Sequence, residues 1–427
     1  MPHQIAEEKI AQLTQKWLRS PLSAEHPACQ FYLTESLTER LHQVTNAFPA
    51  NSLHTVAIKA NPLLAVLRHV RKRGFAVEAA SMGEIQLALE AGFAEEQIIF
   101  DSPVKTEAEL RFALHNGMPV NVDNYHELAR IAAIRKNTCQ SAIGLRVNPQ
   151  VGAGSIPTTS VAASYSKFGI PIKEQNEHLL QAFRQYPWLC GVHLHIGSQG
   201  CSINQLLQGI DTVLHFLSQW RGTFPELPNQ LRFLDIGGGL PVSYQFNETP
   251  PNMQEYATQV VQLLEKHQWQ HLQLITEFGR YYHVNSGFSI SKVEYVKAYT
   301  QPQTAMIHLG ADYFVRECLN PESWYHEVSV LDNQGVRKLP TPSATYNLAG
   351  PLCFAGDIVV RNRELPKMHP EDYVVIHDTG GYTFAMYSRY ISRQMPPIVD
   401  VDSNGELSLL RPGETAAQTV LFWEGKW

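Results

Sequence analysis

Several segments of the chain carry side chains that could do chemistry beyond the needs of a core. The first holds Lys59, the cation in Thr55-Val56-Ala57-Ile58-Lys59-Ala60-Asn61-Pro62, where the apolar residues read as a buried strand. Burying an ammonium is costly, and a lysine accepts it when its pKa falls or when its amine is consumed in a covalent bond. A Schiff base to an aldehyde does the latter. A lysine at the mouth of a strand also commonly snorkels to water, and the octapeptide alone favours that outcome. Glu277, at the end of another apolar run, has a similar pair of readings. It would form a local ion pair with Arg280, or it would hold a pyridine nitrogen protonated so that the ring becomes an electron sink for a carbanion.

The run Gly237-Gly238-Gly239 follows an apolar segment and would let backbone N–H groups approach an anion such as phosphate, although glycine triplets more often serve as plain turns. His193 and His195 fall on one side of a strand and suggest a metal pair, but no Asp, Glu or Cys near them in sequence completes a ligand set, so no metal is expected. A single histidine there is more often a hydrogen-bonded core residue, and its imidazole could also stack on a flat ring. In Gly350-Pro351-Leu352-Cys353, with Asp357 just beyond, the cysteine reads as a structural turn thiol or as a proton donor beside a cofactor.

These groups need elements to hold them. From about residue 50 to about 280, short apolar runs (55–59, 75–78, 98–100, 142–148, 191–195, 233–236 and 272–277) alternate with helical spacing over 82–91, 107–116, 206–220 and 253–267. Alternating β and α segments predict a parallel sheet with helices outside it, and seven or eight such units predict a closed (β/α)8 barrel, whose functional groups collect at the C-terminal ends of the strands. Lys59, His195, the glycine run and Glu277 all close such runs. After about residue 285 the pattern becomes strands (290–298, 304–309, 327–331, 373–377 and 406–410) between turns rich in Pro, Gly and Asn, which predicts a separate β domain. The expected organisation is an N-terminal segment over 1–40 with residues 30–33 joining the β domain, a barrel over 41–284 and a C-terminal β domain over 285–427. Residues 151–159, with two glycines and a proline, read as a mobile loop.

The chain has 427 residues, 44% hydrophobic and 17% charged, which excludes disordered and collagen-like classes, and its net charge of -6 gives no electrostatic case for nucleic acid or an anionic membrane. No stretch is apolar for long enough to span a bilayer, and the N-terminus lacks a signal-peptide pattern, so a cytoplasmic location is expected. The six cysteines are scattered with no CxxC pair, which fits free thiols.

In this order the segments resemble the fold-type III pyridoxal-phosphate decarboxylases, the family of diaminopimelate, ornithine and arginine decarboxylases. The likeness runs from about residue 30 to about 420. It rests on residues 58–61, Ser81-Met82-Gly83-Glu84, Ser166-Lys167-Phe168-Gly169, residues 195–199, Gly237 to Gly239, residues 277–280, residues 350–353 and Gly380-Gly381-Tyr382. The resemblance implies pyridoxal 5'-phosphate as cofactor, with Lys59 carrying it as a Schiff base, His195 stacked on its ring and Glu277 at its pyridine nitrogen. It further implies that Ser198, Gly237, Gly238, Gly239, the backbone of Gly279 and Arg280, and Tyr382 hold the phosphate. Cys353 would come from a second subunit and protonate Cα after carbon dioxide leaves, so a head-to-tail homodimer with shared sites is implied.

The departures from the family pattern bear on substrate. Diaminopimelate decarboxylases typically follow the cysteine with Glu and Ser, which hold a distal amine, and ornithine decarboxylases place an Asp there; this chain has Phe354 and Ala355. The distal-carboxylate groups look partly kept, with Arg280 and Arg316 matching two arginines, while Asn320 replaces an expected tyrosine. Phe278 stands where Pro is usual, and Glu78, which would contact the cofactor, where Asp is common.

The implied function is decarboxylation of an amino acid that bears a distal carboxylate and no free distal amine. An acylated diamino acid such as citryl-diaminopropionate in siderophore assembly meets both conditions. The alternatives are meso-diaminopimelate decarboxylation for lysine synthesis, a racemase of the same fold, and a non-catalytic pyridoxal-phosphate-binding protein. The cysteine segment argues against a racemase and the extra β domain against a carrier.

Overall fold

A computed structural model of the chain describes residues 4–136, 139–402 and 404–426. It divides into two compact units, one of Glu39–Val242 with Pro250–Tyr282, the other of Met1–Thr38, Ser243–Thr249 and His283–Trp427. Residues 243–249, which fall inside the barrel segment by sequence, thus pack with the other unit.

In the first unit the parallel strands Leu53–Ala57, Ala76–Ala79, Ile98–Asp101, Val120–Val122, Ile143–Asn148, Leu189–His193, Phe233–Asp235 and Gln273–Phe278 pair in sequence, and the last pairs with the first. This is a closed eight-stranded barrel. Helices cover it outside, among them Met82–Glu90, Glu107–His115, Ile203–Thr223 and Met253–Lys266, on the segments that showed helical spacing. Most of these strands are buried along their length, which is why they read as continuous apolar runs without alternation. Val120–Val122 escaped that reading because three residues carry too little pattern.

The barrel interior has two layers. Ile99, Cys190, Phe233 and Ile275 form an apolar plug. Small residues make room for it: a Cβ on Gly191 would lie 2.1 Å from the Phe233 ring. Further along the same strands, two residues after Ile99, Phe233 and Ile275 and three after Cys190, stand Asp101, Asp235, Glu277 and His193, joined by Arg146, and none is more than 6% exposed. Side chains two apart share a face, so three of these strands step directly from plug to ionic layer toward their C-terminal ends.

The second unit is built on a nine-stranded sheet. Its organiser is the long strand Gly287–Lys297, which pairs antiparallel with Ala28–Tyr32, Tyr373–Ile376 and Gln303–Ile307. The strand from the N-terminal segment therefore belongs to this sheet. Phe31 and Phe288 stack at 4.6 Å in its core, beside Trp17 from the helix Glu7–Arg19. Ser343–Ala349 and Ile358–Pro366 form an antiparallel pair absent from the sequence reading, and the turn between them carries Cys353. Among the described residues no helix is long and apolar enough to cross a membrane.

Candidate active site

Lys59 lies just beyond the first barrel strand, in the single 3-10 turn Ile58–Ala60 rather than in the strand itself. Its side chain is 44% exposed, and its Nζ reaches 2.6 Å from Oε2 of Glu78, whose side chain is fully buried. Of the two readings of Lys59, the structure shows the side chain reaching toward water from the mouth of the strand, the outcome the octapeptide alone favours. At the open end of the barrel the amine keeps access, and the acid takes the buried place. Burial pushes the Glu78 carboxyl up to about 8; Lys59 pulls against this, while Glu277 and Asp101 add to it.

Glu277 does not pair locally with Arg280. Its Oε2 stands 3.5 Å from His193 Nε2, while Oε1 is buried with no hydrogen-bond partner. Burial alone would raise its pKa, but His193 outweighs that and holds it below the usual carboxylate range. The other ring nitrogen of His193 lies 3.7 Å from Asp101 Oδ1, and Asp101 is bound by Arg146 Nη1 at 3.2 Å. Asp235 accepts the Asn121 amide at 3.1 Å and the Gly237 N–H at 2.9 Å, and burial followed by Glu277 raises its pKa well above the usual carboxylate range.

The glycine run packs closely against neighbouring backbone. Gly237 and Gly239 have φ of +64° and +99°, and a Cβ on Gly239 would lie 2.2 Å from the Gly197 carbonyl oxygen. His195 accepts the Gly238 N–H on Nδ1 at 3.2 Å, which fixes the ring. Burial, then Arg146 and Lys59, drives its pKa down to about 3, so the imidazole is neutral. Ser198 accepts Arg280 Nε at 3.0 Å and keeps its own O–H to donate. Gly279 is the bend between the last strand and the short helix Arg280–His283. Phe278 is buried among Phe48, Tyr256, Tyr281 and Tyr282, so the aromatic takes core space.

The two histidines are therefore split: His193 faces the acids and His195 the glycine turn. Two other segments also read differently in three dimensions. Ser81 caps the helix Met82–Glu90 by accepting the Glu84 N–H, and Glu84 returns the favour to Ala80 N–H at 2.6 Å, so that motif builds a helix start. Residues 151–159, expected to be mobile, are tied by hydrogen bonds from Gly152 to Ala162 and from Ser155 to Gly200.

The remaining site residues are in the second unit. Cys353, Phe354 and Ala355 form the exposed tip of a turn, Phe354 being 40% exposed. Asp357 anchors that turn by accepting Leu352 N–H at 2.6 Å and Ala311 N–H at 2.5 Å. Arg316 stacks over Trp324 at 3.9 Å and approaches the Tyr382 ring at 5.7 Å. Tyr382 sits at φ +59°, a backbone state rare for a non-glycine residue and often found where a function demands it. Asn320 closes the short helix Val315–Leu319.

Asp101, Arg146, His193 as an ion, and Asp235 were missed as site residues. The signal was present: each is ionisable within or at the end of an apolar run, the same anomaly that singled out Lys59.

Ionisable groups gathered at the C-terminal mouth of a closed barrel, beside a glycine turn able to take a phosphate, define a cofactor enzyme of the barrel type. Comparison with known proteins gives the family. Residues 34–284 match the model of the pyridoxal-dependent decarboxylase pyridoxal-binding domain. The chain is 31% identical over 366 residues to diaminopimelate decarboxylase of Methanothermobacter thermautotrophicus, covering 84% of this chain and 82% of that one. It is 30% identical over 393 residues to the enzyme of the same name from Neisseria meningitidis serogroup B, covering 91% of each. The solved structure of Helicobacter pylori diaminopimelate decarboxylase complexed with L-lysine superposes with a TM-score of 0.82 at 26% identity, covering 93% of this chain and 97% of that one. The chain belongs to the pyridoxal-dependent decarboxylases of the diaminopimelate and ornithine decarboxylase family. It is a carboxy-lyase that uses pyridoxal 5'-phosphate on an amino acid.

The residues present fit that cofactor. Glu277 Oε1 is a buried acceptor with no hydrogen-bond partner among the described residues, as a ring nitrogen would require, and Lys59 offers an accessible amine at the same end of the barrel.

Proposed function

We propose that the chain decarboxylates an amino acid carrying a distal carboxylate, with Lys59 as the lysine that carries the cofactor. The observation behind the site assignment is the buried Glu277 Oε1, which has no hydrogen-bond partner among the described residues while Oε2 faces His193. Pyridoxal phosphate, when bound, draws electrons from the Cα of the amino acid attached to it, so that the α-carboxylate can leave as carbon dioxide. Glu277, ionised, holds a proton at the ring nitrogen. Neutral His195 presents its flat face to the ring. Ser198, the 237–239 turn, the Gly279 and Arg280 backbone and Tyr382 take the phosphate. Lys59 yields its place to the substrate amine, and its ammonium rests on Glu78 when free. Cys353, exposed on its turn, returns a proton to Cα in the site of a second copy, which makes a head-to-tail homodimer the working form.

For the substrate, the named relatives favour meso-diaminopimelate, as in lysine synthesis, and none of those reported above is named for an acylated substrate. Arg280 and Arg316 would then take the distal carboxylate. A second reading is carried by one observation: Phe354 and Ala355 stand exposed after Cys353, where neither can neutralise a distal ammonium. That favours a substrate with the distal amine masked, such as citryl-diaminopropionate in siderophore assembly.

Carbon dioxide release from meso-diaminopimelate and from an acylated diamino acid, compared at equal concentration, separates the two. Efficient release from diaminopimelate supports the first reading and removes the second. Borohydride reduction of the holoenzyme tests the site itself. The cofactor should be fixed to the peptide containing Lys59, and its fixation elsewhere ends that assignment.

A further inference from the structure

The geometry points to His193 as a positioning residue: an imidazolium wedged between Asp101 and Glu277 that keeps Glu277 ionised beneath the cofactor. This rests on the reading of Glu277 as the partner of the ring nitrogen. It goes beyond that reading by assigning the charge balance of the barrel layer to one residue.

Glu277 is placed where a negative charge is hard to keep. Its side chain is 3% exposed, and Glu78, Asp101 and Asp235 are carboxyl groups of the same layer. Two cations of the layer are engaged elsewhere. Lys59 is 2.6 Å from Glu78, and Arg146 is 3.2 Å from Asp101 and 4.0 Å from Asp123. His193 is the group that stands against Glu277, at 3.5 Å, with no exposed surface of its own. Strand register explains the placement. His193 is aligned with Arg146 on one side and Asp235 on the other, and Asp235 is aligned with Ile275, two residues before Glu277.

Neither ring nitrogen of His193 has a hydrogen-bond partner among the described residues, yet each faces a carboxylate at 3.5 to 3.7 Å. A neutral imidazole would leave a lone pair buried against a negative oxygen, whereas an imidazolium turns an N–H toward each acid. The groups facing the ring are Asp101, Glu277 and Asp235 as acids, with Arg146 and His195 nearby. Burial would lower its pKa, but the three acids outweigh burial and raise it to about 9. The ring is then charged throughout the neutral range. In return it draws Glu277 below the usual carboxylate range, although burial works the other way.

The test is His193→Gln, which keeps a similar volume and hydrogen-bonding capacity and removes the charge. Holoenzyme is loaded with pyridoxal phosphate labelled with 15N in the ring, and the ring-nitrogen resonance is read beside kcat and KM. The wild type should show a protonated nitrogen. His193→Gln should shift the resonance toward the unprotonated position and lower kcat by about 10- to 100-fold, with a smaller change in KM. In a Glu277→Gln background the same substitution should move the resonance no further. A protonated nitrogen in His193→Gln, or an added shift in the Glu277→Gln background, would overturn the proposal. If Glu277→Gln alone leaves the nitrogen protonated, the reading of Glu277 fails instead, and the two failures are told apart. Should His193→Gln not fold, 15N-histidine spectra of the wild type decide: two N–H groups on His193 at neutral pH support the assignment, and one overturns it.

Discussion

The two layers inside the barrel differ by a step of two or three residues along each strand and by everything in their chemistry. The plug of Ile99, Cys190, Phe233 and Ile275 is held by area and shape, and it would be recognised in any barrel. The layer of Asp101, Arg146, His193, Asp235 and Glu277 is equally buried, but its groups need one another to stay charged. A buried ionic cluster is poor evidence of stability, since apolar side chains of the same size would usually hold the barrel as well or better. The first layer therefore explains why the barrel stands, and the second why it is worth having. The ionic layer also lies toward the strand ends where a barrel opens to its ligands, so charge sits where a cofactor can use it.

That contrast can be broken most sharply at Glu277. Glu277→Gln should lower kcat by roughly 10²- to 10³-fold, the scale of losing one preorganised electrostatic partner, while urea unfolding changes little. A large loss of stability would mean that the ionic layer is structural after all. Phe233→Ala is the converse experiment. It should cost about 3 to 5 kcal/mol in unfolding free energy, because Gly144 and Gly191 offer nothing to refill the space beside the ring.

The ionic layer and its neighbour Glu78 should contribute a pH dependence of stability that can be assigned residue by residue. His193 is raised from 6.5 to about 9 in the folded chain, and Glu78 from 4.5 to about 8. Both bind their protons more tightly when folded, so the stability from His193 is whole below 6.5 and lost as pH rises through about 9. The Glu78 contribution is whole below 4.5 and lost through about 8. Raising the pH of the apoprotein across the His193 window should lower the unfolding free energy by roughly 3 kcal/mol from that residue, and His193→Gln should flatten the slope. Asp101 works in the opposite sense: its pKa is lowered, so its contribution holds above 3.8 and fails in acid. The smallest effect is expected outside both layers. Arg111 and Glu107 pair at 2.6 Å with more than half of each side chain exposed, and Arg111→Ala should change stability by no more than about 0.5 kcal/mol.

The apolar plug and the barrel were largely legible in the sequence because burial on both faces writes a strand as an uninterrupted apolar run. Most of the strands were read to within a few residues, and the helices Glu107–His115 and Met253–Lys266 almost to their ends. The pairs Lys59 with Glu78 and Arg280 with Ser198 were not legible as pairs, since their members are 19 and 82 residues apart and meet only when the strands that carry them line up in the sheet. The strands Ser343–Ala349 and Ile358–Pro366 were missed because tyrosine, asparagine and arginine interrupt the apolar pattern of a sheet edge.

By itself the sequence determined which residues are anomalous: a lysine, acids and histidines set in apolar strands, a glycine run, and a cysteine followed by Phe354 and Ala355. Taken in order, those anomalies carried the resemblance to a family, and the resemblance implied the cofactor and the reaction class. Only the tertiary structure decided which of them share a proton or a charge. It chose the accessible reading of Lys59, resting on a buried acid, and set His193, a ligand candidate in the sequence, against Glu277. The physical reason is that a pKa belongs to an environment, and barrel closure creates that environment by bringing strands distant in sequence to within 4 Å.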